Sequence, residues 1–225
     1  MHPGINGPKF KDKPALIMAG SGDVITHQEL NELSNQGAQL FRSLGLKPGD
    51  SLAFMMENHK LFFPIAFAAY RSGLKYTAIS WRLQASEVEY IVKDCGAKVF
   101  ITSKFLEESA KDLSSSLEGV NKFMLDGESG DFLSYEDAIR NMPNTPIEDE
   151  CQGASMLYSS GTTGKPKGVS REIKISPLPY TPDEEDVGLT RVVQGLYSAS
   201  EDSVYLSPAP LYHSAPLRYN LLVSR

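Results

Sequence analysis

Residues 51–80 read SLAFMMENHKLFFPIAFAAYRSGLKYTAIS, and the order of patterns within them sets the fold class. Leu52–Met56 is a continuous apolar run, the composition of a strand buried on both faces. Residues 59–72 are rich in Phe and Ala and suit a helix, which Gly73 stops. Tyr76–Ile79 is a second apolar run. Strand, helix and strand at this spacing make a βαβ unit, because parallel strands need a long crossover and a helix is the usual one.

The pattern extends both ways. Upstream, Ala15–Met18 and Asp23–Thr26 read as short strands around the turn Gly20-Ser21-Gly22. Thr26 and Glu29 have capping-box spacing, and Leu30, Leu33, Gly37, Leu40, Phe41 and Leu44 then share one helical face up to Gly45. Lys47-Pro48-Gly49-Asp50 is a turn. Downstream, Ser86 and Glu89 repeat the cap spacing, and Val88, Ile91 and Val92 give a buried stripe ending at Cys95-Gly96. Lys98–Thr102 reads as a strand, residues 104–117 as a polar helix, and Lys122–Leu125 as a further strand. The alternation predicts an α/β fold: βαβ units forming a mostly parallel sheet covered by helices.

Asn141–Glu150 (NMPNTPIEDE) has the composition of a linker. It divides the chain into a first α/β subdomain, residues 1–150, and the start of a second, residues 151–225. Seven of the 14 prolines lie between Pro166 and Pro216, so regular structure is expected to thin out there. Residues 174–183 are read as an extended surface excursion, Pro182 and Asp183–Asp186 as a helix start, and Ser203–Leu206 as a strand. Residues 214–223 begin a helix that reaches Arg225 without a cap, which is read as truncation.

With 22 basic and 28 acidic side chains the formal charge of the 225 residues is −6, the wrong sign for a general nucleic-acid binder. Cys95 and Cys151 are too few for a disulfide scaffold and lack paired metal spacing, so they are read as reduced structural thiols of a cytoplasmic protein. The N-terminus, Met1 to Pro14, is polar and rich in Pro and Gly, with no signal core. The most apolar stretch, Leu61–Tyr70, is far below the ~20 residues that span a bilayer, so any membrane contact is peripheral.

Chemistry concentrates in Tyr158–Val169, YSSGTTGKPKGV. Ala154–Tyr158 reads as a strand, and the loop leaving it carries Ser159, Ser160, Thr162 and Thr163 among Gly161, Gly164 and Gly168. Glycines let backbone N–H groups converge on an anion, and hydroxyls donate to phosphate oxygens. Lys165, Lys167, Arg171 and Lys174 face one acid, Glu172, a local +3 that suits a polyphosphate. The string is not a Walker A loop, since Ser159 stands where that pattern needs Gly and Pro166 where it needs Ser or Thr.

Tyr158-Ser-Ser-Gly-Thr-Thr-Gly-Lys-Pro-Lys-Gly168 resembles the AMP-binding signature of the adenylate-forming superfamily, which holds acyl-CoA synthetases, peptide-synthetase adenylation domains and luciferases. Leu46–Asp50, Trp81–Thr102 and Leu206-Ser-Pro-Ala-Pro-Leu-Tyr-His-Ser-Ala-Pro216 are similar to further segments of that family, the last in the form seen in fatty-acyl and related CoA ligases. The resemblance implies a two-step reaction in which a carboxylate attacks the α-phosphorus of Mg-ATP, and a thiol, most often that of coenzyme A, takes the acyl group. It implies that Ser159, Ser160, Gly161, Thr162, Thr163, Gly164, Lys165, Lys167 and Gly168 hold ATP, with Lys167 and Thr162 catalytic and Lys165 a weaker electrostatic contributor. It places His213 beside the acyl group and leaves His2, His27 and His59 structural or exposed; Mg²⁺ ligands are not assigned. The family's ribose-binding Asp, Mg-associated Glu and C-terminal Lys match nothing before Arg225. The 225-residue chain alone is therefore expected to be inactive, the front part of an acyl-CoA synthetase. A naturally short nucleotide- or partner-binding fragment and a carrier-loading adenylation domain are the alternatives.

Overall fold

The structure, a computed structural model, describes residues 2–159, 166–170 and 184–223. A two-stranded antiparallel ribbon, β1 (Pro14–Ile17) with β2 (Val24–Thr26), precedes α2 (His27–Ser43). Thr26 caps that helix as its spacing predicts: the Glu29 N–H donates to Thr26 Oγ1 at 3.2 Å, and the Thr26 N–H donates to Glu29 Oε2 at 2.8 Å. There follow β3 (Ser51–Met55), α3 (Phe62–Arg71), β4 (Lys75–Ile79), α4 (Ala85–Asp94) and β5 (Ala97–Ser103). A 3₁₀ turn (Lys104–Leu106), α5 (Glu107–Ser114), β6 (Asn121–Leu125), β7 (Leu133–Ser134) and α6 (Tyr135–Arg140) complete the first 140 residues. Beyond them lie β8 (Ala154–Ser159), β9 (Lys167–Ser170), α7 (Glu184–Tyr197) and α8 (Ser214–Val223).

The seven-stranded sheet has the order β7-β6-β5-β3-β4-β8-β9, parallel throughout except for the final β8–β9 pair. Side chains alternate between its faces. Leu52, Phe54, Tyr76, Ile101 and Phe123 join a core with residues of α2, α3, α6 and α8, while Ala53, Met55, Ile79, Phe100 and Met124 join a second core with α4 and α5. The expected α/β architecture is present.

Several elements differ from expectation, each for a local reason. The polar N-terminus forms α1 (Pro3–Lys9), because His2 Nδ1 accepts from the Gly4 N–H at 3.1 Å and Pro3 occupies the first helical position. Helix α3 starts at Phe62 rather than residue 59, since His59 Nδ1 accepts the Leu61 N–H at 3.1 Å and holds residues 59–61 in a turn. In α4 the residues that meet across the helix start are Gln84 and Glu87, not Ser86 and Glu89: the Gln84 N–H donates to Glu87 Oε2 at 2.9 Å, and Glu89 instead pairs with Lys93. Residues 104–117 break into the 3₁₀ turn and α5. Residues 203–206 are not a strand; no neighbouring strand pairs with them among the described residues, and Val204 and Leu206 are exposed. The predicted excursion at 174–183 and the Pro182–Asp183 helix start lie outside the described residues, and α7 begins at Glu184.

Residues 141–150 carry no helix or strand, yet polar side chains of α2 fasten them in series. Asn35 Nδ2 donates to the Asn144 carbonyl at 2.7 Å, Gln36 Nε2 to Met142 at 3.3 Å and Gln39 Nε2 to Thr145 at 3.0 Å, while Arg42 pairs with Asp149 at 3.0 Å. The series ends at Arg71, whose side chain is fully buried. Its Nε pairs with Glu150, and Nη1 donates to Ser34 Oγ at 2.7 Å and to the Asn31 carbonyl at 3.1 Å. Burial pushes the Arg71 guanidinium down from its usual value, and Glu150 opposes that shift. His2 Nε2 stands 3.4 Å from the same carboxylate.

Removing one partner from such a buried pair strands the other, at a cost of about 3–5 kcal/mol. Urea denaturation of Arg71→Met is therefore expected to show a loss of about 3 kcal/mol, partly recovered in Arg71→Met/Glu150→Gln. A loss below about 1 kcal/mol would show that Glu150 finds water instead. Thr26→Ala is expected to cost about 1 kcal/mol in the same assay, with Thr26→Ser close to wild type.

Candidate nucleotide-binding hairpin

The chain enters the candidate site through a tight backbone passage. The Cys151 N–H donates to the Arg71 carbonyl at 3.0 Å, the Gly153 N–H to Tyr70 at 2.6 Å and the Ala154 N–H to Leu74 at 3.0 Å. A Cβ on Gly153 would lie 2.4 Å from the Leu74 carbonyl oxygen, so only glycine allows this approach. Strand β8 then pairs with β4 at two positions, Lys75 with Ala154 and Tyr76 with Ser155.

Past Ser155 the strand continues in partnership with β9. Met156 faces Ser170, Leu157 faces Val169, Tyr158 faces Gly168 and Ser159 faces Lys167. Alternation persists, with Leu157 packed on the α2–α3 core and Met156 and Tyr158 on the α4–α5 core. Strand β9 was not foreseen; the glycines and hydroxyls read as loop, and the only strand signal was Val169. The sequence-predicted site residues Ser160, Gly161, Thr162, Thr163, Gly164 and Lys165 lie outside the described residues. Lys167 and Gly168 are exposed on β9, and Lys167 sits directly across from Ser159, the pair nearest the connection between the two strands.

Tyr158 does two things in this hairpin. Its ring lies over Gly168, where a Cβ would come within 2.9 Å of Cζ, and its hydroxyl donates to Asp94 Oδ2 at 2.5 Å. Burial first, and then the Asp94 hydrogen bond, push the Tyr158 phenol far above its usual value. The hydroxyl therefore stays protonated and remains the donor. Asp94, at the end of α4, also lines a surface depression of about 540 Å³ with Ser86, Glu89, Tyr90 and Lys93.

His213 is exposed and directly precedes α8, with its ring 4.5 Å from that of Tyr212. Sequence reasoning missed what holds this segment. Asn58 Nδ2 donates to the Ala209 carbonyl at 3.1 Å and Asn58 Oδ1 accepts from the Leu211 N–H at 2.9 Å, fixing the backbone on both sides of Pro210.

One group of metal-type side chains converges among the described residues: Glu57, His59 and Asp126, beyond the carboxyl ends of β3 and β6. It does not fit a divalent cation. His59 Nδ1 accepts from Leu61, so Nε2 carries the proton and donates to Asp126 at 3.1 Å, while Ser103 Oγ donates to Glu57 at 2.5 Å. His2 and His59 are buried and polar-bonded, as structural histidines should be, and both cysteines are free and buried. No helix among the described residues is long and apolar enough to cross a membrane.

The oxalate–CoA ligase of Arabidopsis thaliana is 28% identical over 221 residues, covering 96% of this chain and 41% of that protein. The fatty acid–[acyl-carrier-protein] ligase ScoC of Streptomyces coeruleorubidus is 27% identical over 164 residues, 69% of this chain and 29% of that one. The chain thus spans less than half the length of these curated relatives. The apo structure of Mycobacterium smegmatis MbtA superposes with a TM-score of 0.79 at 24% identity, over 99% of this chain and 40% of that one, and shares the fold. Residues 6–224 match the AMP-binding enzyme family, and the chain belongs to it.

Proposed function

We propose that this chain is the ATP-handling part of an AMP-forming acyl-CoA synthetase, which activates a carboxylic acid as an acyl-adenylate and passes the acyl group to coenzyme A. The observation that carries the reading is the β8–β9 hairpin, which holds Lys167 exposed opposite Ser159, at the two ends of the Ser/Thr/Gly string. Bringing a carboxylate onto a polyphosphate joins two anions, so the barrier is electrostatic and positional. Hydroxyls and amides from Ser159 to Gly164 would donate to the β- and γ-phosphates, Thr162 and Lys167 would take up charge on the departing pyrophosphate, and Lys165 and Gly168 would complete the cradle. Charge-assisted bonds of this kind are roughly twice as strong as neutral ones. The metal enters as part of the substrate, Mg-ATP, with phosphate and water oxygens as its ligands.

The likeness of Leu206–Pro216 to the form of that motif in fatty-acyl and related CoA ligases supports a fatty acid as substrate, with His213 at its border. The free, buried Cys95 and Cys151 suit a reducing compartment, and so a cytoplasmic protein. A carrier-protein thiol as acceptor is the second reading, favoured by the likeness to ScoC. Division at residue 150 into two subdomains belongs to the same proposal.

Carboxylate-dependent ATP–pyrophosphate exchange in the full-length protein tests the reading, with fatty acids as substrates. Lys167→Ala is expected to slow adenylate formation by roughly 10- to 1,000-fold. Thioester formation from supplied acyl-adenylate should suffer less. Equal loss in both half-reactions would make Lys167 a structural residue, and exchange without coenzyme A thioester formation would move the acceptor to a carrier protein.

A further inference from the structure

The outer half of the β8–β9 hairpin has little sheet beneath it. β8 pairs with β4 only at Ala154 and Ser155, while the residues that face β9 run from Met156 to Ser159. A two-stranded ribbon alone is marginally stable and is free to twist. Two features counter this. The Tyr158 ring covers Gly168 across the strands, which fills the space a glycine leaves in a ladder and sets the pairing register. The Tyr158 hydroxyl then reaches out of the hairpin to Asp94 at the C-terminal end of α4, a helix anchored in the second core by Val88, Ile91 and Val92.

We infer that Tyr158 and Asp94 are positioning residues for phosphate binding: their hydrogen bond fastens the hairpin to α4 and so fixes where Lys167 meets the nucleotide. The geometry is economical. Tyr158 lies directly across from Gly168 and one residue before Ser159, which faces Lys167, so a tether at Tyr158 acts at the base of the turn without entering the site. A neutral hydroxyl donating to a carboxylate is a charge-assisted bond, stronger and more directional than a neutral one. Gly168 is thereby explained by packing as well as by phosphate approach, since a Cβ there would lie 2.5 Å from Met156 Cε and 2.9 Å from Tyr158 Cζ, crowding the ring that carries the tether. This inference rests on the phosphate reading of the hairpin given above.

Tyr158→Phe keeps the ring and removes the bond; Asp94→Ala removes the acceptor, and Asp94→Asn keeps an acceptor oxygen. In the full-length protein, Tyr158→Phe and Asp94→Ala are each expected to raise the KM for Mg-ATP and the Kd for pyrophosphate about 5- to 20-fold. The KM for the carboxylic acid should stay unchanged, and amide exchange across residues 156–170 should speed up. Asp94→Asn is expected to restore most of the ATP affinity, and the Tyr158→Phe/Asp94→Ala double variant to be no worse than either single one. Unchanged KM for Mg-ATP in both single variants, with or without a lower melting temperature, would overturn the inference, as would additive losses. If Lys167→Ala weakens pyrophosphate binding and Tyr158→Phe does not, the tether alone is wrong. If the wild-type protein binds neither Mg-ATP nor pyrophosphate, the phosphate reading itself fails.

Discussion

A guanidinium with no exposed surface governs how the stretch leading into β8 meets the N-terminal helices. Arg71 sits at the last turn of α3 and gathers Asn31 and Ser34 from α2, Glu150 from the connecting stretch and, through that carboxylate, His2. A charge removed from water needs paired donors in a fixed geometry, and here Nε and Nη1 carry that pairing while Nη2 is buried without a partner among the described residues, so Glu150, Asn31 and Ser34 each have one place to be. Fixing Glu150 fixes Cys151 beside the Arg71 carbonyl, and that in turn delivers Gly153 and Ala154 to the edge of β4. The candidate site therefore inherits its position from an ion pair that takes no part in it.

The hairpin that follows shows why the cationic string needs a scaffold. Lysines and glycines are a poor match for strand structure, and β9 exists because its partner supplies what it lacks: Leu157 and Tyr158 bind it to a core on either side of the sheet. The Tyr158 ring across from Gly168 supplies the packing that the glycine lacks on that rung of the ladder.

Most of the first 125 residues could be read in advance because their signals are local. Apolar runs at Leu52–Met56 and Tyr76–Ile79, the Thr26–Glu29 cap and the turn glycines specify elements whose partners lie close in sequence. The readings that failed depended on distant or competing contacts. Helix α1 rests on a histidine cap that compensates for two glycines and two prolines in seven residues, and the start of α4 moved because Glu87 lies nearer the free N–H of Gln84. Strand β9 exists only by pairing with β8, and its own composition argues for a loop. The candidate site was proposed from composition, from hydroxyls, glycines and lysines in one string, of which residues 160–165 lie outside the described residues. The Asn58 clasp and the Asp94 tether were not, since each spans a separation over which one sequence carries no pairing signal.

The stretch from Asn141 to Glu150 has the look of a joint at which a protein engineer would insert a reporter or lengthen a spacer: prolines, amides, acids and no regular structure. Its carbonyls at Met142, Asn144 and Thr145 are nonetheless held by Gln36, Asn35 and Gln39 of one helix, and Asp149 and Glu150 are claimed by arginines. A single added residue would slide every later contact out of phase with the helix, much as a shifted thread misses its nut. The segment behaves as a ruler, and the distance it measures out is the length of chain between α6 and β8.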